Sequence, residues 1–218
     1  MAMIPNSGLL PFLLAVGMAV ASSEAAMTLD DSVGTVAETS LARFLSRIPP
    51  GQEEQYGFQG RAEVERATVG VPIRVYGMRP SVGDSLLEGQ DSSWNRPQAQ
   101  DVWRVPVVVH RKVRALLTIE RIGGALRAVD LGAAGLAREI GAFDSTHIGK
   151  RRGLLRVERM RCDLLMLDRT GRGFDEAEYH PLSSARPFFE SDSGSGRPRE
   201  RVFRTIHRRV HERSESTR

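Results

Sequence analysis

The side chains able to do chemistry are few and scattered along the chain. Cys162 is the one cysteine, and His110, His147, His180, His207 and His211 are the five histidines with which it could form a nucleophilic pair. Cysteine catalysis needs a thiolate held beside an imidazole. Cys162 lies in the run RCDLL, a strand-like pattern with no glycine-rich turn or helix start to favour the thiolate, so a packed thiol is the simpler reading. His207 and His211 stand four apart and could share a metal on one helix face. They sit among arginines, however, and positive neighbours repel a divalent cation. Asp175, Glu176 and Glu178 cluster along the chain, whereas glycosidases need two carboxylates facing each other across a cleft. The run GKRRG at 149–153 lacks the upstream glycine and the following Ser or Thr of a phosphate loop. No catalytic, cofactor-binding or metal-binding residue is assigned from the sequence.

The residues that remain suit binding. Trp94 in a polar loop, Trp103 and Tyr76 are candidate ligand contacts, because large amphipathic rings serve at recognition surfaces. Arg201, Arg204, Arg208 and Arg209 are candidate anion contacts near the C-terminus. An alternative is a small enzyme with a pocket in a half-barrel, using inward-facing carboxylates such as Asp101, Glu120 and Asp130.

The first 26 residues, MAMIPNSGLLPFLLAVGMAVASSEAA, carry no charged side chain before Glu24. Their apolar run ends in Ala19-Val20-Ala21, the layout of a secretory signal peptide cleaved after Ala21. The run is shorter than the ~20 residues a spanning helix needs, and Pro5 and Pro11 interrupt it. The expectation is export to the periplasm or the extracellular space; the alternative is an uncleaved anchor. A single cysteine allows no intrachain disulfide, so an exported chain would rely on its core, which fits a bacterial envelope.

The 218-residue chain has a formal charge of +4, but the charge is unevenly placed. Residues 22–182 hold 22 basic and 22 acidic side chains, and residues 183–218 hold nine basic and five acidic. The basic character therefore belongs to the C-terminal segment, which weighs against nucleic-acid binding by the folded part. No aromatic platform interleaves these arginines. Anionic lipid or polysaccharide suits an exported basic segment better. A protein or peptide partner for the domain is also expected.

The elements that must position these residues follow from periodicity. Residues 22–35 read as a linker. Residues 36–48 place apolar side chains at three- and four-residue spacing, an amphipathic helix that Pro49-Pro50-Gly51 stops. A short helix is expected at 61–68 and a strand at 71–76. Residues 79–100 read as a long loop. Strands are expected at 102–110, 113–122 and 125–131, the last two joined by Gly123-Gly124. A helix at 132–143 and strands at 154–160, 162–168 and 176–182 complete a domain spanning 36–182. Residues 183–218 read as a flexible basic tail, with a marginal helix at 201–213. The order predicts an α+β fold, with helices packed on one face of a curved antiparallel sheet. A half-barrel of the cystatin or NTF2 type is the favoured architecture.

The segments PPGQEEQYGF at 49–58, RAEVERAT at 61–68 and GVPIRVY at 70–76 form one part of a wider pattern. WRVPVVV at 103–109, ALLTI at 115–119 and AVDLG at 128–132 continue it. Together they resemble a group of exported bacterial proteins with no assigned activity, over about residues 45–143. The resemblance lies in packing and turn residues. It implies a secreted or envelope domain and assigns no catalytic residue.

Overall fold

The computed structural model describes residues 29–78, 97–144, 151–168, 174–189 and 196–215. The apolar N-terminal run, Trp94 and most of the 79–100 loop lie outside these residues. The first helix, α1 (Leu29–Leu45), starts before the predicted helix and takes in part of the expected linker. Two features extend it. Asp30 and Asp31 occupy the first turn, where carboxylates favour the positive end of the helix dipole. Val33 also continues the buried stripe of Ala37 and Leu41 one turn earlier.

After a 3-10 turn and the short helix α2 (Arg61–Glu65) come β1 (Thr68–Val69), β2 (Ile73–Gly77), β3 (Gln98–Val109), β4 (Lys112–Ile122) and β5 (Ala125–Gly132). Then follow α3 (Ala134–Asp144), β6 (Arg151–Val157), β7 (Cys162–Asp168), β8 (Glu178–Pro181) and α4 (Arg199–Glu215). The expected α+β class is observed. β3 begins inside the segment read as a loop. Two tight turns form the meander: Gly123 and Gly124 have φ of 60° and 83°, and His110 and Arg111, between β3 and β4, have φ of 49° and 64°. The first pair is the glycine turn that the sequence announces.

The eight strands form one sheet ordered β5-β4-β3-β2-β6-β7-β8, with β1 pairing on β3. All pairings are antiparallel except β2 with β6, which is parallel. The expectation of helices on one face is corrected, because alternate residues on both faces are apolar. On one face, Val33, Ala37 and Leu41 of α1 pack on Trp103, Val105, Val107, Ala115, Leu117 and Ile119. Farther along that face, α4 packs on β6, β7 and β8. On the opposite face, Ala137 and Ile140 of α3 cover Ile73, Val75, Leu116, Leu154, Leu165 and Leu167.

The C-terminal segment differs most from expectation. Val202, Phe203 and Ile206 are buried, and Phe203 meets the Tyr179 ring edge to face at 5.6 Å. Residues 199–215 are therefore a docked helix, not part of a flexible tail. The apolar stripe is the physical reason: it caps a hydrophobic face of β6, β7 and β8 that would otherwise stay exposed. Cys162 lies in this same cluster, 1% exposed. No helix among the described residues is long and apolar enough to cross a membrane.

Candidate functional site

Along the face of β2 that carries α1 and α4, the clusters of these two helices meet in a seam. Strand alternation puts Ile73 and Val75 on the α3 side, buried, and points Arg74 and Tyr76 into the seam, half-buried. β3 lies antiparallel on one side, with Trp103 opposite Arg74. β6 lies parallel on the other, with Leu155 opposite Tyr76. Only this arrangement places residues from distant parts of the sequence in one row.

Arg74 lies over the Trp103 ring at 5.2 Å from its centroid, and its Nε donates to the Gln100 carbonyl at 3.1 Å. Asp101 stands 3.8 Å from Arg74 and 3.7 Å from Arg121, exposed and shared between the two cations. Such long, solvated pairs hold little energy, of order 0–1 kcal/mol, and leave the guanidinium groups available for exchange with another carboxylate. Beyond Arg74, the Tyr76 ring meets Phe174 edge to face at 5.0 Å, and Arg151 lies over Phe174 at 5.6 Å. Gly153 makes this close approach possible. A Cβ there would stand 2.6 Å from Met166 Cε, 3.0 Å from Phe174 Cζ and 3.1 Å from Tyr76 Cε2.

Burial raises the Tyr76 hydroxyl above the usual tyrosine range; Arg151 and Arg74 oppose that rise, and Asp30 adds to it. The phenol is therefore a neutral hydrogen-bond donor at physiological pH, within the field of Arg151 and Arg74.

The uncovered part of the opposite face is also polar. Arg104 donates to Thr118, and Arg156 makes a two-pronged pair with Asp163 at 2.9 and 3.2 Å. The Arg104 guanidinium is held below its usual range by burial first, and then by Arg156. The Arg156–Asp163 pair of this face is short and two-pronged, whereas the ion pairs of the seam are long and share one exposed carboxylate.

The sequence candidates separate accordingly. Tyr76 lies in the seam. Trp103, taken as a ligand contact, is fully buried and lies beneath Arg74. Asp101 is in the seam, while Glu120 stands opposite Val102 and Asp130 opposite Thr118, on the other face. The three carboxylates thus do not converge, and Asp101 and Asp130 are exposed. Arg201, Arg204 and Arg208 are exposed on α4 and Arg209 is half-buried. Among the described residues, no group of three or more His, Cys, Asp or Glu side chains could hold a metal ion. Arg151 and Phe174 were not singled out by sequence reasoning. Gly153, a glycine inside an apolar strand, was the available signal, because such a residue marks close approach of another group.

Compared with known proteins, the chain matches no family model, no curated protein and no solved structure.

Proposed function

We propose that this protein is an exported bacterial binding or accessory domain, acting without catalysis, whose β2 seam holds an acidic segment of a peptide or partner protein. One observation carries the reading: Arg74, Arg121 and Arg151 line a half-open row with the Tyr76–Phe174 pair, and the exposed Asp101 holds two of these cations only through long contacts of 3.8 and 3.7 Å. Arginine and tyrosine anchor protein interfaces because each combines area with directed hydrogen bonds. An incoming carboxylate would take the place of Asp101, and its neighbouring side chain would lie on the Tyr76 and Phe174 rings. The apolar N-terminal run supports export. The register shifts in β2, β3 and β4 support the curvature of a cystatin- or NTF2-like half-barrel, which we keep as the proposed architecture.

Trp103 beneath Arg74 is a built-in reporter. In a Trp94→Phe background, titration with short Asp/Glu-rich peptides should change the Trp103 emission, and Lys-rich peptides of equal length should not. Arg74→Gln with Arg151→Gln should remove the response. Equal responses to both peptide types, or none to either, would refute the reading.

A second, independent contact is supported by Arg201, Arg204 and Arg208, exposed along one side of α4. These could meet anionic lipid or polysaccharide electrostatically. The apolar side of the helix is already packed on the sheet, so the docked helix cannot insert it into a bilayer. Cosedimentation with anionic vesicles that falls as salt rises, and is lost in the triple glutamine variant, is the expected result.

A further inference from the structure

We propose that the β5 edge pairs with the β5 edge of a second copy of this chain, antiparallel about a two-fold axis between Ala128 and Val129. β5 is the terminal strand of the sheet, and its outer side makes no backbone hydrogen bond among the described residues. The opposite edge is different. There Arg197 bridges to Tyr179 through two backbone hydrogen bonds of 3.0 Å and caps β8. An open eight-residue strand is a template for another strand.

The sequence of β5 says which strand. Folded about its centre, it matches Ala125 with Gly132, Leu126 with Leu131, Arg127 with Asp130 and Ala128 with Val129. Alanine meets glycine or valine, leucine meets leucine, and a cation meets an anion. In an unbroken strand this register would fail, because the members of each pair would point to opposite faces. The bulge repairs it. Thr118 pairs with Asp130 and Ile119 with Ala128, so Val129 is one extra residue that shifts the alternation. Arg127 and Asp130, opposite Glu120 and Thr118, then share the face away from α1, while Leu126, Ala128 and Leu131 share the face toward it. A two-fold axis perpendicular to the sheet keeps each residue on its own face, so the pairs Ala125–Gly132, Leu126–Leu131 and Arg127–Asp130 meet.

Apolar side chains are exposed on this edge and at the adjoining β4–β5 turn. Ile122 and Val129 are 45% and 38% exposed, two of the four large apolar side chains left in solvent among the described residues. Val36, Phe44 and Leu45 of α1 are only partly covered in the cluster that includes Leu126 and Ala128. A bulge and charges on an edge usually discourage pairing. Here the same bulge on a second copy is the feature that makes the two edges fit.

Sedimentation velocity on the purified protein should show a dimer. Arg127→Asp turns both charged positions acidic, and Asp130→Arg turns both basic. Each variant alone sets like charges opposite each other twice per dimer, and association should weaken by about tenfold or more. A one-to-one mixture restores both opposite-charge pairs and should yield a heterodimer by native mass spectrometry, which a folding defect could not produce. Amide exchange of the unaltered protein supplies a measurement free of substitution: protection across residues 125–132 should rise with protein concentration. A monomeric unaltered protein, dimers undisturbed by either variant, failure of folded variants to pair on mixing, or concentration-independent exchange at β5 would each overturn the proposal.

Discussion

Replacing Phe203 by alanine tests whether the C-terminal segment belongs to the fold. The ring is 4% exposed, packs among Val202, Ile206, Tyr179, Leu164 and Met166, and meets Tyr179 at an interplanar angle of 87°. Truncating a buried phenylalanine costs about 3–5 kcal/mol, from lost transfer free energy together with the cavity left behind. The site is near a chain end and can partly collapse, so the lower figure, about 3 kcal/mol, is expected here. For a chain of this size, ~1 kcal/mol corresponds to about 2–4 °C, so the melting midpoint should fall by about 6–12 °C. Arg204→Ala, one residue on and exposed, should change stability by no more than ~0.5 kcal/mol. The assay is urea or thermal unfolding followed by circular dichroism for both variants. Equal, small effects of the two substitutions would mean that α4 does not dock, and the reasoning about the cluster on β6, β7 and β8 would be wrong.

Four further outcomes follow from other sites. Burial raises the Glu63 carboxyl, but the Gln59 amide, donating at 2.7 Å, and the Arg114 guanidinium outweigh it and hold it below 4.5. Its contribution is therefore fully present above pH 4.5 and is lost as pH falls through the lowered value, so Glu63→Gln should flatten that part of the acid-stability curve. Arg74→Gln removes a cation that lowers the Tyr76 value, so one of the three tyrosines should titrate at still higher pH by absorbance at 295 nm. Arg111 holds φ at 64° in a tight turn, and Arg111→Gly should raise stability in urea unfolding by about 1 kcal/mol. Gly153→Val should displace Phe174 and Tyr76, lowering stability by about 1–3 kcal/mol and weakening the acidic-peptide response.

Much of the fold was legible because local patterns coincide with tertiary demand. The β3–β4–β5 meander shows alternation and a Gly-Gly turn, and β7 spans the residues its periodicity marks. The C-terminal helix was visible as a pattern, but its docking was not. A short Arg-rich stripe is marginal alone, and only the exposed face of β6, β7 and β8 gives Val202, Phe203 and Ile206 something to cover. The placement of helices on both faces was hidden for a related reason: Leu154, Leu155, Leu164 and Leu165 form continuous apolar runs, which show burial on two sides without naming what covers each. Tyr76 was legible as a candidate. Its neighbours Arg151 and Phe174 were not, because the parallel pairing of β2 with β6 joins segments far apart in the chain.

That parallel pairing has a mechanical consequence. The sheet consists of two consecutive modules, one running through β5 and the other from β6 onward, zipped together at one strand pair with α3 spanning beneath. Arg74 and Tyr76 belong to the first module, Arg151 and Phe174 to the second. A segment lying on all four would act as a staple across the zip, so occupancy should raise the temperature at which the modules part.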